Sequence, residues 1–366
     1  MELTEEQVML LDTASSFCRE KSPVAVVREK IEESELYDAE LWQEMAELGW
    51  LAVAIPENYG GLNMGLGSVV PIVESMGRHL LGSPYLATTL ASQALVHSGS
   101  SEQKENWLPQ LAAGTIGTVA LTEQDGSWLL DQIECTGEVD GDQIRLMGTK
   151  CQVLDAQAAQ VIIVSALVEG QARLVLVTKA QLGEGRTRRE TVIDETRRSY
   201  ALDLAGVIVP ADQVLAQADF ARLEHDALLL LSAEMSGGLS AVLHTIVEYL
   251  TTRKQFDQYI GAYQALKHPS VDVLLSEEAA KSHVYHAASI LDQGDQEATE
   301  VAVRMAKAQA SEAFAYAGDR AVQFHGGFGF TYECDAQLYL RRAMWCQHQF
   351  GDERYQRQRL APLLLD

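Results

Sequence analysis

Two stretches patterned for helices bracket a central stretch patterned for strands, and this change of texture limits the folds open to the chain more than any other feature. Over residues 1–115 the apolar positions recur at helical spacing, as in LWQEMAELGWLAVAI, with punctuation at Pro56, Gly60-Gly61 and Gly82-Ser83-Pro84. Over 116–217 the pattern becomes short apolar runs, QVIIVSALV, ARLVLVTK and YALDLAGVIV, separated by Asp-Gly, Glu-Gly and Pro turns. Helical periodicity returns over 218–366 in LLLLSAEMSGGLSAVLHTIVEYLTTRKQF, SEEAAKSHVYHAASILDQ and QEATEVAVRMAKAQASEAFAYAGDRAVQF. The order α, then β, then α predicts an α+β protein: an N-terminal helical domain (1–115), a middle β domain (116–217) and a C-terminal helical domain (218–366). No repeat or low-complexity linker separates them, so the three are expected to pack closely.

The charge balance then removes whole classes of partner. Lys and Arg number 28 against 52 Asp and Glu, a net charge of −24. Phosphate backbones and anionic lipid heads repel such a chain, and no Lys/Arg-rich block offsets this, so neither nucleic acid nor membrane is an expected partner. Nor is there a Cys/His spacing suited to a metal. The first residues, MELTEEQVMLLDTASSFCRE, are acidic and amphipathic, unlike a secretory signal, and the expected location is the cytoplasm. Cys18, Cys135, Cys151, Cys334 and Cys346 are scattered, as suits free thiols, and no disulfide is expected. The most apolar stretch, Ala227 to Leu250, is interrupted by Glu234, Gly237-Gly238, His244 and Glu248, and reads as a buried helix.

Residue chemistry singles out two short motifs in the last region. The guanidinium of Arg253 can pair with a pyrophosphate, and Phe256, placed one helical turn along, offers an apolar face to a ring. Gly326 and Gly327 lack Cβ atoms and let a backbone approach phosphate oxygens, with the amide of Gln323 one turn before. The alternative is that Arg253 makes a surface ion pair and the glycines end a helix.

Four stretches, IPENYGG (55–61), ALTEQDGS (120–127), RKQFDQYIGAYQALKH (253–268) and AVQFHGGFGFTYE (321–333), give the chain a resemblance to the acyl-CoA dehydrogenase family over essentially its whole length. The resemblance implies a β-barrel-like middle domain and a C-terminal four-helix bundle. It also implies FAD held between the β domain of one subunit and the C-terminal helices of its neighbour, and oxidation of an acyl-CoA thioester. Carried over residue by residue, the cofactor contacts supplied to a neighbour are Arg253, Gln255, Phe256, Gln264, Gln323, Gly326 and Gly327. One departure is Asp257, where the family usually has Gly; its carboxylate must point away from a pyrophosphate or pair with a base such as Lys254.

The same resemblance exposes what is missing. Family chemistry removes the α-proton of the thioester with a Glu while the β-hydrogen leaves as hydride to the flavin. In most members that Glu stands directly before Gly-Thr; here Phe350 precedes Gly351, and Asp352 replaces the Thr. A minority carry the base on the preceding long helix, at the position of Ala227. No catalytic residue is therefore assigned, and Asp352, Glu353, Glu224, Asp226 and Glu234 are read as solvated helix-end charges. The subunit's own half of a flavin site is altered too. Thr-Glu-Pro-x-x-Gly-Ser-Asp becomes Thr122-Glu123-Gln124-Asp125-Gly126-Ser127-Trp128, and in Gly-x-Lys-x-Trp-Ile-Thr the aromatic becomes Gln152 and the hydroxyl Leu154.

The half supplied to a neighbour is thus kept while the half supplied to itself is changed. The pattern resembles the base-lacking subunit of heteromeric acyl-CoA dehydrogenases of steroid catabolism. It implies a base-bearing homologous partner (α2β2), a shared FAD, a bulky acyl-CoA at the partner's site, and an electron-transfer flavoprotein or similar acceptor. Two alternatives stay open: a self-sufficient homo-oligomeric flavoenzyme, either a dehydrogenase with a displaced base such as Glu353 or an oxidase or monooxygenase, and a scaffold that has lost flavin and substrate alike. His268 is assigned to the adenine side of a flavin pocket or the core, His325 to backbone contact, and Trp128 and Trp345 to packing.

Overall fold

The computed structural model describes residues 4–33 and 35–365. The helices are α1 (Glu5–Lys21), α2 (Val24–Glu32), α3 (Ala39–Glu47), α4 (Val70–Arg78), α5 (Tyr85–Ser98), α6 (Ser101–Ala112), α7 (Lys179–Leu182), α8 (Phe220–Thr252), α9 (Gln264–Ile290), α10 (Gln296–Phe324), α11 (Asp335–His348) and α12 (Glu353–Leu365). The strands are β1 (Gly117–Ala120), β2 (Thr136–Asp140), β3 (Gln143–Met147), β4 (Thr149–Leu154), β5 (Val161–Val168), β6 (Gln171–Thr178), β7 (Thr187–Arg189), β8 (Ser199–Asp203), β9 (Val207–Pro210), β10 (Lys254–Gln255) and β11 (Gln258–Tyr259). Helices, then strands, then helices follow one another as the periodicity requires. The chain forms two compact units, one from 33–66 and 82–226, the other from the described residues of 1–32 with 67–81 and 227–366.

In the unit holding the strands, β5 (VIIVSALV) lies parallel to β1 and β2 and antiparallel to β6, and β3 joins β2 to β9. A run apolar on both faces suits a strand buried on both sides, and seven of its eight residues are buried. A second sheet, β4-β8-β7, contains an irregularity between Lys150 and Val153, where Gln152 takes a left-handed φ of 54°. Lys150 is fully buried, yet its ammonium meets the Glu123 carboxylate and, at 2.7 Å, the Ser165 hydroxyl. Such pairing is what makes a buried charge tolerable, although burial still pushes the amine below its ordinary range.

The other unit is built on α8 and α10. Gly237 on α8 faces α4 so closely that an added Cβ would stand 1.8 Å from the Glu74 carbonyl, and one at Gly77 would stand 2.0 Å from the Glu234 carbonyl. The glycine pair inside an apolar helix thus marks a backbone-to-backbone crossing. Buried carboxylates beside the crossing are satisfied: Glu74 accepts from Ser236 (3.0 Å) and Tyr285 (2.5 Å), and Glu234 pairs with Arg342. α10 in turn packs on α9, α11 and α12. α8 is long and apolar enough to cross a membrane by composition, but its most apolar window is 78% buried, as in a core helix. All five cysteines are free.

Candidate functional site

α8 ends at Thr252, and its last turn hands the chain to a tight hairpin. The Arg253 N–H donates to Tyr249 O at 2.9 Å, while the Arg253 carbonyl accepts from the Ile260 N–H at 2.9 Å. β10 and β11 pair as Lys254↔Tyr259 and Gln255↔Gln258, leaving Phe256 and Asp257 as the two turn residues, with φ of 53° and 63°. Two consecutive left-handed residues suit Asn-Gly far better than Phe-Asp, so the turn carries about 1 kcal/mol of strain per residue. This corrects the placement of Phe256 one helical turn from Arg253: the chain has left the helix, and Phe256 sits at the hairpin tip, 87% exposed. Lys254 lies over the Tyr259 ring, 4.6 Å from its centroid.

The end of α10 comes to the same place. His325 caps the helix, and its Nδ1 lies 2.7 Å from the Ala321 carbonyl. Its ring stacks on Tyr249 with centroids 4.0 Å apart and planes at 26°. Gly326 follows in the left-handed region (φ 60°), and a Cβ added to Gly326 or Gly327 would meet nothing within 4 Å. Tyr249 and Arg253, Gln255 and Ile260 from the hairpin side, and residues 324–328 line a pocket of about 580 Å³. The Arg253 guanidinium has no ion pair or hydrogen bond among the described residues. In a chain with so large an acidic excess, an unpaired arginine facing open glycine backbone is an arrangement for a phosphate-bearing ligand.

Of the residues named from sequence, the structure brings Arg253, Gln255, Gly326 and Gly327 together in this pocket. Phe256, Gln264 at the start of α9 and Gln323 on the last turn of α10 are exposed outside its lining, and His268 is exposed on α9. Tyr249 and the His325 side chain were missed; the four-residue spacing from Tyr249 to Arg253, which puts both on one helix face, was the available signal.

The turn between α11 and α12 is organised in the opposite way. Phe350 adopts φ 55°, and buried Lys307 reaches from α10 to the carbonyls of Gln347 (3.1 Å) and Gly351 (2.8 Å) and to the Ser311 hydroxyl (3.2 Å). Burial pushes this amine down to about 8. Gln356 donates to the Phe350 carbonyl at 2.6 Å and accepts from Arg304 at 2.8 Å. Asp352 accepts from the Tyr355 N–H at 2.8 Å, capping α12, and Glu353 accepts from the Gln347 amide at 2.6 Å. Ala227 is fully buried, and two of the acids expected to be solvated are not: Asp226 is buried and held by Arg222 at 2.8 Å, and Glu234 is buried against Arg342, because both lie on the core-facing side of α8.

In the strand-bearing unit, the Gln152 N–H and the Ser199 hydroxyl both donate to Glu190 Oε2 at 2.9 Å. Val153 is buried, Leu154 partly so, and the Leu154 carbonyl accepts from Thr118 at 2.6 Å. Trp128 is partly buried and Trp345 buried. No group of three or more His, Cys, Asp or Glu among the described residues could hold a metal.

The N-terminal domain of acyl-CoA dehydrogenases matches residues 4–115, and their C-terminal domain matches 221–365. The chain belongs to the acyl-CoA dehydrogenase family. It is 32% identical over 314 residues to the acyl-CoA dehydrogenase fadE12 of Mycobacterium bovis, covering 81% of this chain and 80% of that one. Among solved structures it resembles the Tcur3481-Tcur3483 steroid ACAD (TM-score 0.89, 28% identity, 98% of each chain). It also resembles the ChsE4-ChsE5 complex from Mycobacterium tuberculosis (TM-score 0.91, 25% identity, 100% of this chain and 98% of that one).

Membership makes this a chain of the FAD-dependent acyl-CoA oxidoreductases, with helical, β and helical parts in the family's order. The α8–α10 pocket fits the phosphate end of that cofactor. Arg253 and the backbone of Gly326 and Gly327 would hold it, supplying charge and close approach without displacing any existing ion pair.

Proposed function

We propose that this chain is a non-catalytic subunit of a heteromeric acyl-CoA dehydrogenase, completing the FAD site of a homologous, base-bearing partner as an α2β2 assembly. The observation that carries the reading is the contrast between Arg253, unpaired beside open glycines, and the acids around Phe350, each already engaged. When bound, FAD supplies the two-electron acceptor for α,β-dehydrogenation of the thioester. This chain's own residues then bind and orient the cofactor's phosphates, while the proton acceptor comes from the partner. Asp352 acts as a helix cap, Glu353 accepts from Gln347, and Phe350 has no proton-accepting side chain, so none is positioned as a base. The Tcur3481-Tcur3483 steroid ACAD and the two-component ChsE4-ChsE5 complex among the structural neighbours support a paired partner and a bulky, steroid-derived acyl-CoA at the partner's site; an electron-transfer flavoprotein or similar acceptor would then take the electrons.

Flavin content of the purified heteromer tests the reading. Arg253→Ala should strip FAD from the complex while leaving the two chains associated. Full flavin retention in that variant would remove the claim, and reduction of flavin by acyl-CoA in this chain alone would replace it with a self-sufficient enzyme.

A further inference from the structure

The main chain that faces Arg253 across the pocket has little of its own to hold it in place. Gly326 and Gly327 have no side chains to pack, and both are exposed, as are Phe328, Phe330, Tyr332 and Glu333 in the loop that follows. A glycine-bearing segment with so little burial samples many conformations, and ordering it on binding costs affinity. The loop is nevertheless tied at three points. Its start is held by α10, where the His325 N–H donates to Ala321 O at 3.2 Å. Gly329 folds its middle back onto that helix: the Gly329 N–H donates to Gly326 O at 2.9 Å, and an added Cβ would stand 2.1 Å from the Val322 carbonyl. The third tie comes from α2, far away in sequence. There Arg28 donates through Nε to Tyr332 O at 2.9 Å, and through Nη2 to Glu333 O at 3.1 Å and Asp335 Oδ1 at 2.7 Å.

The Arg28 side chain is 30% exposed and that of Asp335 43%, so their ion pair by itself adds little to stability. Direction is what the three bonds supply. A guanidinium is rigid and planar, and one that reaches two successive carbonyls and a carboxylate fixes the course of the main chain between them, which a single ammonium cannot do. Asp335 begins α11, so the fork sets the point at which the loop passes into the next helix. Arg28 lies outside the pocket lining. We infer that Arg28 is a positioning residue for this pocket: it clamps the far end of the loop over 326–333, so that the Gly326 and Gly327 main chain stands ready for phosphate, without touching the ligand. The inference rests on the reading of the pocket as a cofactor-phosphate site, and it makes α2 part of what holds the ligand.

Titration calorimetry of the full chain with ADP, paired with hydrogen exchange of the 326–334 amides, tests it in the wild type, Arg28→Ala, Arg28→Lys, Asp335→Asn and Arg253→Ala. If Arg28→Ala leaves about a tenth of the loops in the binding conformation, ADP weakens about tenfold. Exchange at 326–334 should then speed up in the free variant and return to the wild-type rate at saturating ADP, while α8 and α10 keep their protection. Arg28→Lys keeps the charge and the Asp335 pair but serves the two carbonyls poorly, so its loss should be about threefold; Asp335→Asn keeps both carbonyl bonds and should lose less than twofold. Arg253→Ala should weaken ADP with loop exchange unchanged. Four results overturn the inference while leaving the Arg253 site standing: wild-type affinity in Arg28→Ala, weakened ADP with no change in loop exchange, faster exchange throughout the helical unit, or a loss in Asp335→Asn as large as in Arg28→Ala. A wild-type chain that does not bind ADP at millimolar concentration, or binding that Arg253→Ala leaves intact, overturns the site and the inference together.

Discussion

The pocket at the ends of α8 and α10 and the turn between α11 and α12 lie in the same helical unit, yet they treat polar groups in opposite ways. At the pocket, Arg253 has no counter-charge, and two non-glycine residues sit in left-handed conformations at the hairpin tip. At the turn, Lys307, Gln356, Asp352 and Glu353 each have a named partner within 3.2 Å. Groups left unmatched and backbone held under strain mark a place shaped for something the chain does not itself supply. A fully matched network marks a place whose task is to hold its own shape.

The comparison can be broken from the turn side first, where the largest effect is expected. Lys307→Met should lower the unfolding free energy by about 2 kcal/mol at pH 7, because two carbonyls lose their donor, with nucleotide binding unchanged. Lys307 holds its proton less tightly when folded (about 8) than when unfolded (10.5). Between those values the unfolded chain binds the extra proton, so the wild-type contribution rises with pH. The deficit of the Met variant should therefore widen by up to about 3 kcal/mol between pH 8 and 10.5, as read by denaturant melts. A constant or narrowing deficit would contradict the network.

From the pocket side, Arg253→Ala should weaken ADP by about 2–3 kcal/mol, roughly a 30- to 150-fold loss, without lowering the melting temperature. A smaller effect sharpens the contrast: Asp257→Gly should stabilise the chain by about 0.5–1 kcal/mol by relieving a left-handed turn position. Smallest of all, Phe350→Glu should leave the isolated chain unable to transfer electrons from acyl-CoA to flavin, as monitored by flavin bleaching. On the proposed reading, a carboxylate added to a turn fixed by Lys307 and Gln356 would not by itself complete a site in this chain.

The fold was legible because period and length are properties of the sequence itself: the run of β5 and the apolar face of α8 announce their burial. Gly237-Gly238 announced an interruption, but only the Glu74 carbonyl facing Gly237 reveals that it is a helix crossing. Arg253, Gly326 and Gly327 could be singled out because their chemistry is local, and the structure brings them to one pocket. Phe256 was misplaced because helical spacing does not reveal that the helix stops at Thr252, a result of the Lys254↔Tyr259 and Gln255↔Gln258 pairing. His325 was read as a backbone contact because a stack on Tyr249 brings together residues far apart in the chain. Neither the Lys307 network nor the capping role of Asp352 could be read from sequence, since both depend on how α10, α11 and α12 meet.

Flavin absorbance and native mass, measured on this chain alone and after co-expression with a base-bearing homologue, test the central claim most directly. A colourless chain alone, together with a yellow, acyl-CoA-reducible α2β2 complex, is the predicted result. Stoichiometric FAD and acyl-CoA oxidation by this chain alone would contradict it.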